Sequence, residues 1–172
     1  CSSLADIALP EFLEAVEEQA FSNCSMLESI VIPDKVTSLH TTAFDGATKL
    51  STIVLGASLS TDVGSTFNEA ADGYNLTLRS PTPFSSSNRL TTARGGSVGN
   101  VKLEGVSSLG SGGSVFEGCV DLRTVDLGDD LAELPEAVFR GCGSLTAIML
   151  PAALVEIPAS ALEGCASIKQ LT

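Results

Sequence analysis

Apolar residues recur along the chain in pairs spaced two apart: Ile7/Leu9, Ile30/Ile32, Ile53/Leu55, Leu76/Leu78, Val101/Leu103, Val125/Leu127 and Ile148/Leu150. The step between pairs is 23 residues, except 25 into Val101 and 24 into Val125. Leu171 falls 23 after Ile148 and begins an eighth pair. A spacing of two puts both side chains on one face of an extended strand. Five of the seven pairs are preceded by a leucine in the order L-x-x-I-x-I, with Gly73 and Val98 in that place in the other two, and a turn-rich crossing and a short apolar stretch follow, such as Leu134-Pro-Glu-Ala-Val-Phe139. That stretch has room for one or two turns of helix or 3-10 helix at most.

Two further columns keep the same period. Phenylalanines stand at 21, 44, 67, 116 and 139, with Leu162 closing the series, and cysteines stand at 1, 24, 119, 142 and 165. Ala47 and Ala70 take the cysteine place in two units. A fixed period of this length is the signature of a solenoid, in which no unit buries its apolar face alone and the core forms by stacking. The pattern predicts an α/β repeat solenoid of about seven units over residues 1–172, one array with both ends cut within a unit. Its strands form a parallel sheet on a concave face, at roughly 4.8 Å per unit, and short helical, 3-10 or irregular segments cover the convex side. Leu27, Ile30, Ile32, Val36, Leu39 and Phe44, with their equivalents, are the predicted core, and the phenylalanines stack as a convex ladder. Further repeats or a partner are expected to cover the open ends.

The string C-x-x-L-x-x-I-x-[IL]-P with V-x-x-[IL] and A-F-x-G-C, as in Cys24–Pro33 and Cys142–Pro151, resembles the BspA-like class of leucine-rich repeats. The resemblance implies a right-handed leucine-rich-repeat arc used for protein–protein contact, often displayed as an adhesin on microbial or protist surfaces. It implies no catalytic residue. Residues 79–98 depart from the pattern: Thr92 stands where phenylalanine is expected and Gly95 where cysteine is, and Asp62 replaces an earlier apolar residue. This degenerate or looped-out segment, with Arg79, Arg89 and Arg94, is either drift in a tolerant unit or a partner-binding loop.

Charge and composition narrow the function. With 21 Asp and Glu against nine Lys and Arg, the net charge of −12 argues against a binder of nucleic acid or anionic membrane, since both need a basic face. The apolar runs are too short to insert into a bilayer. Cysteines that keep one place per unit, interchangeable with alanine, read as buried thiols rather than a disulfide framework or zinc site. His40 is the sole histidine and falls in a turn; Ser85–Ser87 lacks a nucleophile-elbow context, and the glycine-rich stretches at 95–96 and 110–113 lack a phosphate-loop pattern. The acidic clusters at Glu11–Glu18 and Asp126–Asp130 lack calcium-loop spacing. No enzyme, metal or cofactor is expected. The sequons Asn23-Cys-Ser25 and Asn75-Leu-Thr77 leave the compartment open between cell surface or secretion and an intracellular assembly.

The expected partner is a protein. The outward strand positions form a central column, Ala8, Val31, Val54, Thr77, Lys102, Asp126 and Met149, beside a flanking one that includes Asn75, Asn100 and Thr124. Tyr74, Asn75, Thr77, Arg79, Lys102, Arg123 and Asp126 are the candidate binding residues, with Tyr74, Arg79 and Arg123 as anchors of the types that dominate interfaces.

Overall fold

The computed structural model describes residues 1–59, 63, 65–79, 98–110 and 115–172. Among these the regular elements are strands: β1 (Ala15–Val16), β2 (Ser29–Val31), β3 (Ser38–Leu39), β4 (Thr52–Leu55), β5 (Tyr74–Leu78), β6 (Val98–Leu103), β7 (Thr124–Asp126), β8 (Ala147–Met149) and β9 (Gln170–Leu171). Seven of them pair in parallel in the order β2-β4-β5-β6-β7-β8-β9, so six passages of the chain link them. This is a parallel-sheet solenoid. A small second sheet joins β1 to β3 along the side.

The register agrees with the repeat read from the sequence. Ser29, Thr52, Asn75, Asn100, Thr124, Ala147 and Gln170 lie side by side, as do Val31, Val54, Thr77, Lys102, Asp126 and Met149. The first expected strand does not form. Ala5 O accepts from Glu28 N at 3.3 Å, but residues 6–9 carry no regular ladder.

The expected core is buried: Leu27, Ile30, Ile32, Val36, Leu39 and Phe44 are each at most 2% exposed. Phe21 stacks on Phe44 at 5.2 Å and Phe116 on Phe139 at 5.5 Å, with Phe44 and Phe67 tilted at 5.4 Å. Each ring shields its neighbour from water, and offset aromatic pairs add to the burial.

The convex segments are not helical. Among the described residues they are successive turns, because the backbone groups a helix would pair internally are spent on the next unit. Phe21 N donates to Ala43 O at 2.8 Å, Phe116 N to Val138 O at 3.0 Å, and Phe139 N to Ala161 O at 3.0 Å. The glycine of the A-F-x-G-C motif has a backbone reason. Gly118, Gly141 and Gly164 sit at φ of 74°, 78° and 78°, a region that costs other residues strain. Asn23 fills the same place in an early unit at φ 56°, as asparagine tolerates.

Residues 80–97, which include most of the expected degenerate segment with Arg89 and Arg94, lie outside the described residues, as does Asp62. The unequal 25-residue step is accommodated at its edge. β5 and β6 pair Tyr74 with Val98 and then Asn75 with Asn100, so Gly99 is the extra residue of a bulge. A Cβ there would lie 2.4 Å from Gly73 O.

Candidate functional site: the outward face of the sheet

A parallel sheet buries one face on the core and leaves alternate residues on the other. Here the outward face carries Val31, 52% exposed, and Met149, 49% exposed, with Val54, Thr77, Lys102 and Asp126 between them.

At the C-terminal ends of β5 and β6 three charged groups converge. Arg79 Nε donates to Glu104 Oε2 at 3.0 Å, and Lys102 Nζ donates to Glu104 Oε1 at 2.7 Å. The hydrogen bond from Lys102, and then that from Arg79, holds the Glu104 carboxyl below its ordinary range. The same bond to Glu104 raises Lys102. Two cations share one carboxylate. Asp126, paired in register with Lys102, adds to the field on that lysine, and its Oδ1 accepts from Gly128 N at 3.0 Å.

Beside this cluster runs a polar ladder. Asn75 Nδ2 donates to Ser51 O at 3.3 Å, Asn100 Nδ2 to Asn75 Oδ1 at 2.8 Å, and Thr124 Oγ1 to Asn100 Oδ1 at 2.7 Å. Side-chain amides on neighbouring strands thus fix one another and stiffen the face.

The candidate residues separate into groups. Thr77, Lys102 and Asp126 line one column, Asn75 belongs to the ladder, and Arg79 joins the ion cluster. Tyr74 is not on this face: it is 2% exposed and points into the core. Its ring lies 6.4 Å from Phe67 and extends the aromatic column. Burial raises its hydroxyl well above the ordinary value, and the neighbouring Cys119 adds to the shift. Arg123 is exposed at the opposite rim, its Nη1 3.7 Å from where a Cβ on Gly73 would stand. Arg79 and Arg123 are thus separated by five residues of strand, roughly 16 Å at about 3.3 Å each, and do not form one anchor with Tyr74.

A match to the family described as BspA type leucine-rich repeat region covers residues 1–89 and 97–172 in six copies. The chain belongs to the BspA-type leucine-rich repeat family. Comparison with curated protein sequences yields no match. Two solved structures are similar. One is a leucine-rich cell surface protein of Faecalibacterium prausnitzii A2-165, 24% identical with a TM-score of 0.42, covering 98% of this chain and 53% of that one. The other is a leucine-rich repeat protein of Bacteroides ovatus ATCC 8483, 22% identical with a TM-score of 0.40, covering 99% of this chain and 55% of that one. The chain thus spans about half the length of each.

Within this BspA-type array, two features escaped the sequence reading. Phe12 is 83% exposed at the rim of a groove of about 680 Å³, which Ala8, Val31, Pro33, Lys35 and Arg79 also line. Its signal was available, since Phe12 stands outside the 23-residue aromatic column and so has no place in the ladder. The second is the role of the cysteines, which are thiols that do more than fill space. Cys142 Sγ donates to Phe116 O and Cys165 Sγ to Phe139 O, both at 3.0 Å. Burial pushes the Cys119 and Cys142 thiols up to about 12, which keeps them protonated and poor nucleophiles. Among the described residues no group of three His, Cys, Asp or Glu side chains could hold a metal ion. His40 is exposed, with its Nδ1 2.9 Å from Thr42 Oγ1. No helix among the described residues is long and apolar enough to cross a membrane.

Proposed function

We propose that this BspA-type repeat array is a non-catalytic protein-recognition module that engages its partner through the outward face of the sheet. The observation that carries the reading is the pair of half-exposed apolar residues Val31 and Met149 towards either end of the outward face, with the Arg79–Glu104–Lys102 cluster and the Asn75–Asn100–Thr124 ladder between them. Exposed apolar surface with a few fixed charges suits a protein partner. Phe12 and Arg79, on one groove, replace Tyr74 as the anchoring residues of this reading.

Display at a cell surface as an adhesin-like scaffold is the setting that the resemblance to the BspA-like class implies. The alternative, an internal part of a larger intracellular assembly, draws on cysteines that remain thiols. Capture of the full-length protein from its native source, with mass spectrometry of Asn75, separates the two. A glycan on Asn75 together with surface or host proteins supports the adhesin-like setting. Unmodified Asn75 with a stoichiometric set of intracellular partners supports the assembly.

A further inference from the structure

The chain's acidity gathers in two stretches, residues 6–34 with seven carboxylates and no base, and the C-terminal units. From Asp126 to Glu163 there are seven carboxylates and one base, Arg140, a net of −6 against −12 for the whole chain. Arg140 is already bound to Glu117. Three of these carboxylates, Glu133, Glu136 and Glu156, line an apolar feature on the flank, away from the outward sheet face. The segments that follow β7 and β8 run side by side there, with Val155 N 3.4 Å from Ala132 O. The same bond joins Thr37 N to Glu14 O in the early units, at 2.9 Å. The solenoid therefore has no need of an apolar residue at this outward position: glutamate and threonine serve there. Yet Val155 is an aliphatic side chain 88% exposed to water. It borders a groove of about 400 Å³ whose walls include Ala132, Glu133, Glu136, Glu156 and Pro158.

We propose that this flank groove docks a basic segment of a protein partner, with an aliphatic side chain seated against Val155 and Pro158 and lysines or arginines facing Glu133, Glu136 and Glu156. The volume suits one or two side chains rather than a helix face. Complementarity sets the sign of the partner, because carboxylates ring the apolar floor. A second copy of the chain is a poor occupant: it carries nine basic residues in all, and Arg79, Lys102 and Arg140 are engaged by carboxylates. The site is independent of the sheet-face reading, and either stands if the other fails.

The test is a titration of the isotopically labelled 172-residue chain, followed by NMR, with a short peptide alternating lysine and leucine at physiological ionic strength. Lysine–serine and glutamate–leucine peptides serve as controls. The proposal expects shifts centred on Glu133, Val155 and Glu156, with no binding of the glutamate–leucine peptide. It expects weaker binding of the lysine–serine peptide and roughly tenfold weaker lysine–leucine binding when Glu133→Gln and Glu156→Gln are combined. Val155→Ser, at an exposed site that leaves folding intact, weakens the lysine–leucine peptide alone. No binding, equal binding of the lysine–leucine and lysine–serine peptides, or binding indifferent to these substitutions overturns the proposal.

Discussion

Cys142 donates its thiol hydrogen to the carbonyl of Phe116 in the preceding unit, Sγ to O 3.0 Å, while the same carbonyl accepts from Cys119 N at 3.1 Å. In these units the cysteine and phenylalanine columns are therefore one device: the carbonyls of Phe116 and Phe139 each receive one bond from within their unit and one from the next. Thiols are weak donors, and Ala47 and Ala70 show that the solenoid accepts a unit without one. Cys142→Ala is expected to cost about 1 kcal/mol, whereas Cys142→Leu costs about 1–3 kcal/mol by overpacking. Urea unfolding midpoints check the order.

The thiols also predict a pH dependence. In the folded chain Cys119 and Cys142 stand at about 12, above the ordinary value of 9.0, because burial disfavours the thiolate. A raised folded-state value contributes stability that is intact below the unfolded value and is lost as pH rises towards the folded one. Thermal melts should therefore fall between about pH 9 and about pH 12 and be flat in this contribution below that. Alkylation near neutral pH should label exposed Cys1 first, half-buried Cys165 more slowly, and buried Cys24, Cys119 and Cys142 only on unfolding.

Tyr74 carries a third prediction. As a core ring beside Phe67, its replacement by alanine should cost about 3–5 kcal/mol, while Arg123→Ala at the exposed rim should stay within about 0.5 kcal/mol. Equal stabilities of the two variants would place Tyr74 back on the surface.

These residues show what the sequence makes legible. The register columns follow from period-two alternation combined with the 23-residue step, which is why Val31 through Met149 line up as expected. Alternation also sets Tyr74 on the side of Leu76 and Leu78, yet residue type, aromatic and polar-tipped, suggested an interface anchor instead. The convex turns were harder to foresee, because a short apolar stretch has the same composition whether its amides bond within the unit or to the next one. The ion cluster depended on side-chain reach across strands, since Arg79 and Glu104 are 25 residues apart and meet only once the bulge at Gly99 has set the register.

That bulge gives a fourth prediction. A methyl group on Gly99 meets the Gly73 carbonyl at 2.4 Å, and backbone there has nowhere to yield. Gly99→Ala should destabilise by about 1–3 kcal/mol and disturb the Asn75–Asn100 bond, seen as a shift of both side-chain amide signals. Gly143→Ala, where a Cβ meets nothing within 4 Å, is the near-neutral control.

Protein recognition by the sheet face is tested most directly by photo-crosslinking in the native source, with a photoreactive residue placed in the full-length protein at Thr77 on the outward column or at Thr41 in an exposed convex turn. Crosslinks to one discrete protein from position 77 and none from position 41 are the expected result. Crosslinks from position 41 alone would contradict the sheet face as the recognition surface.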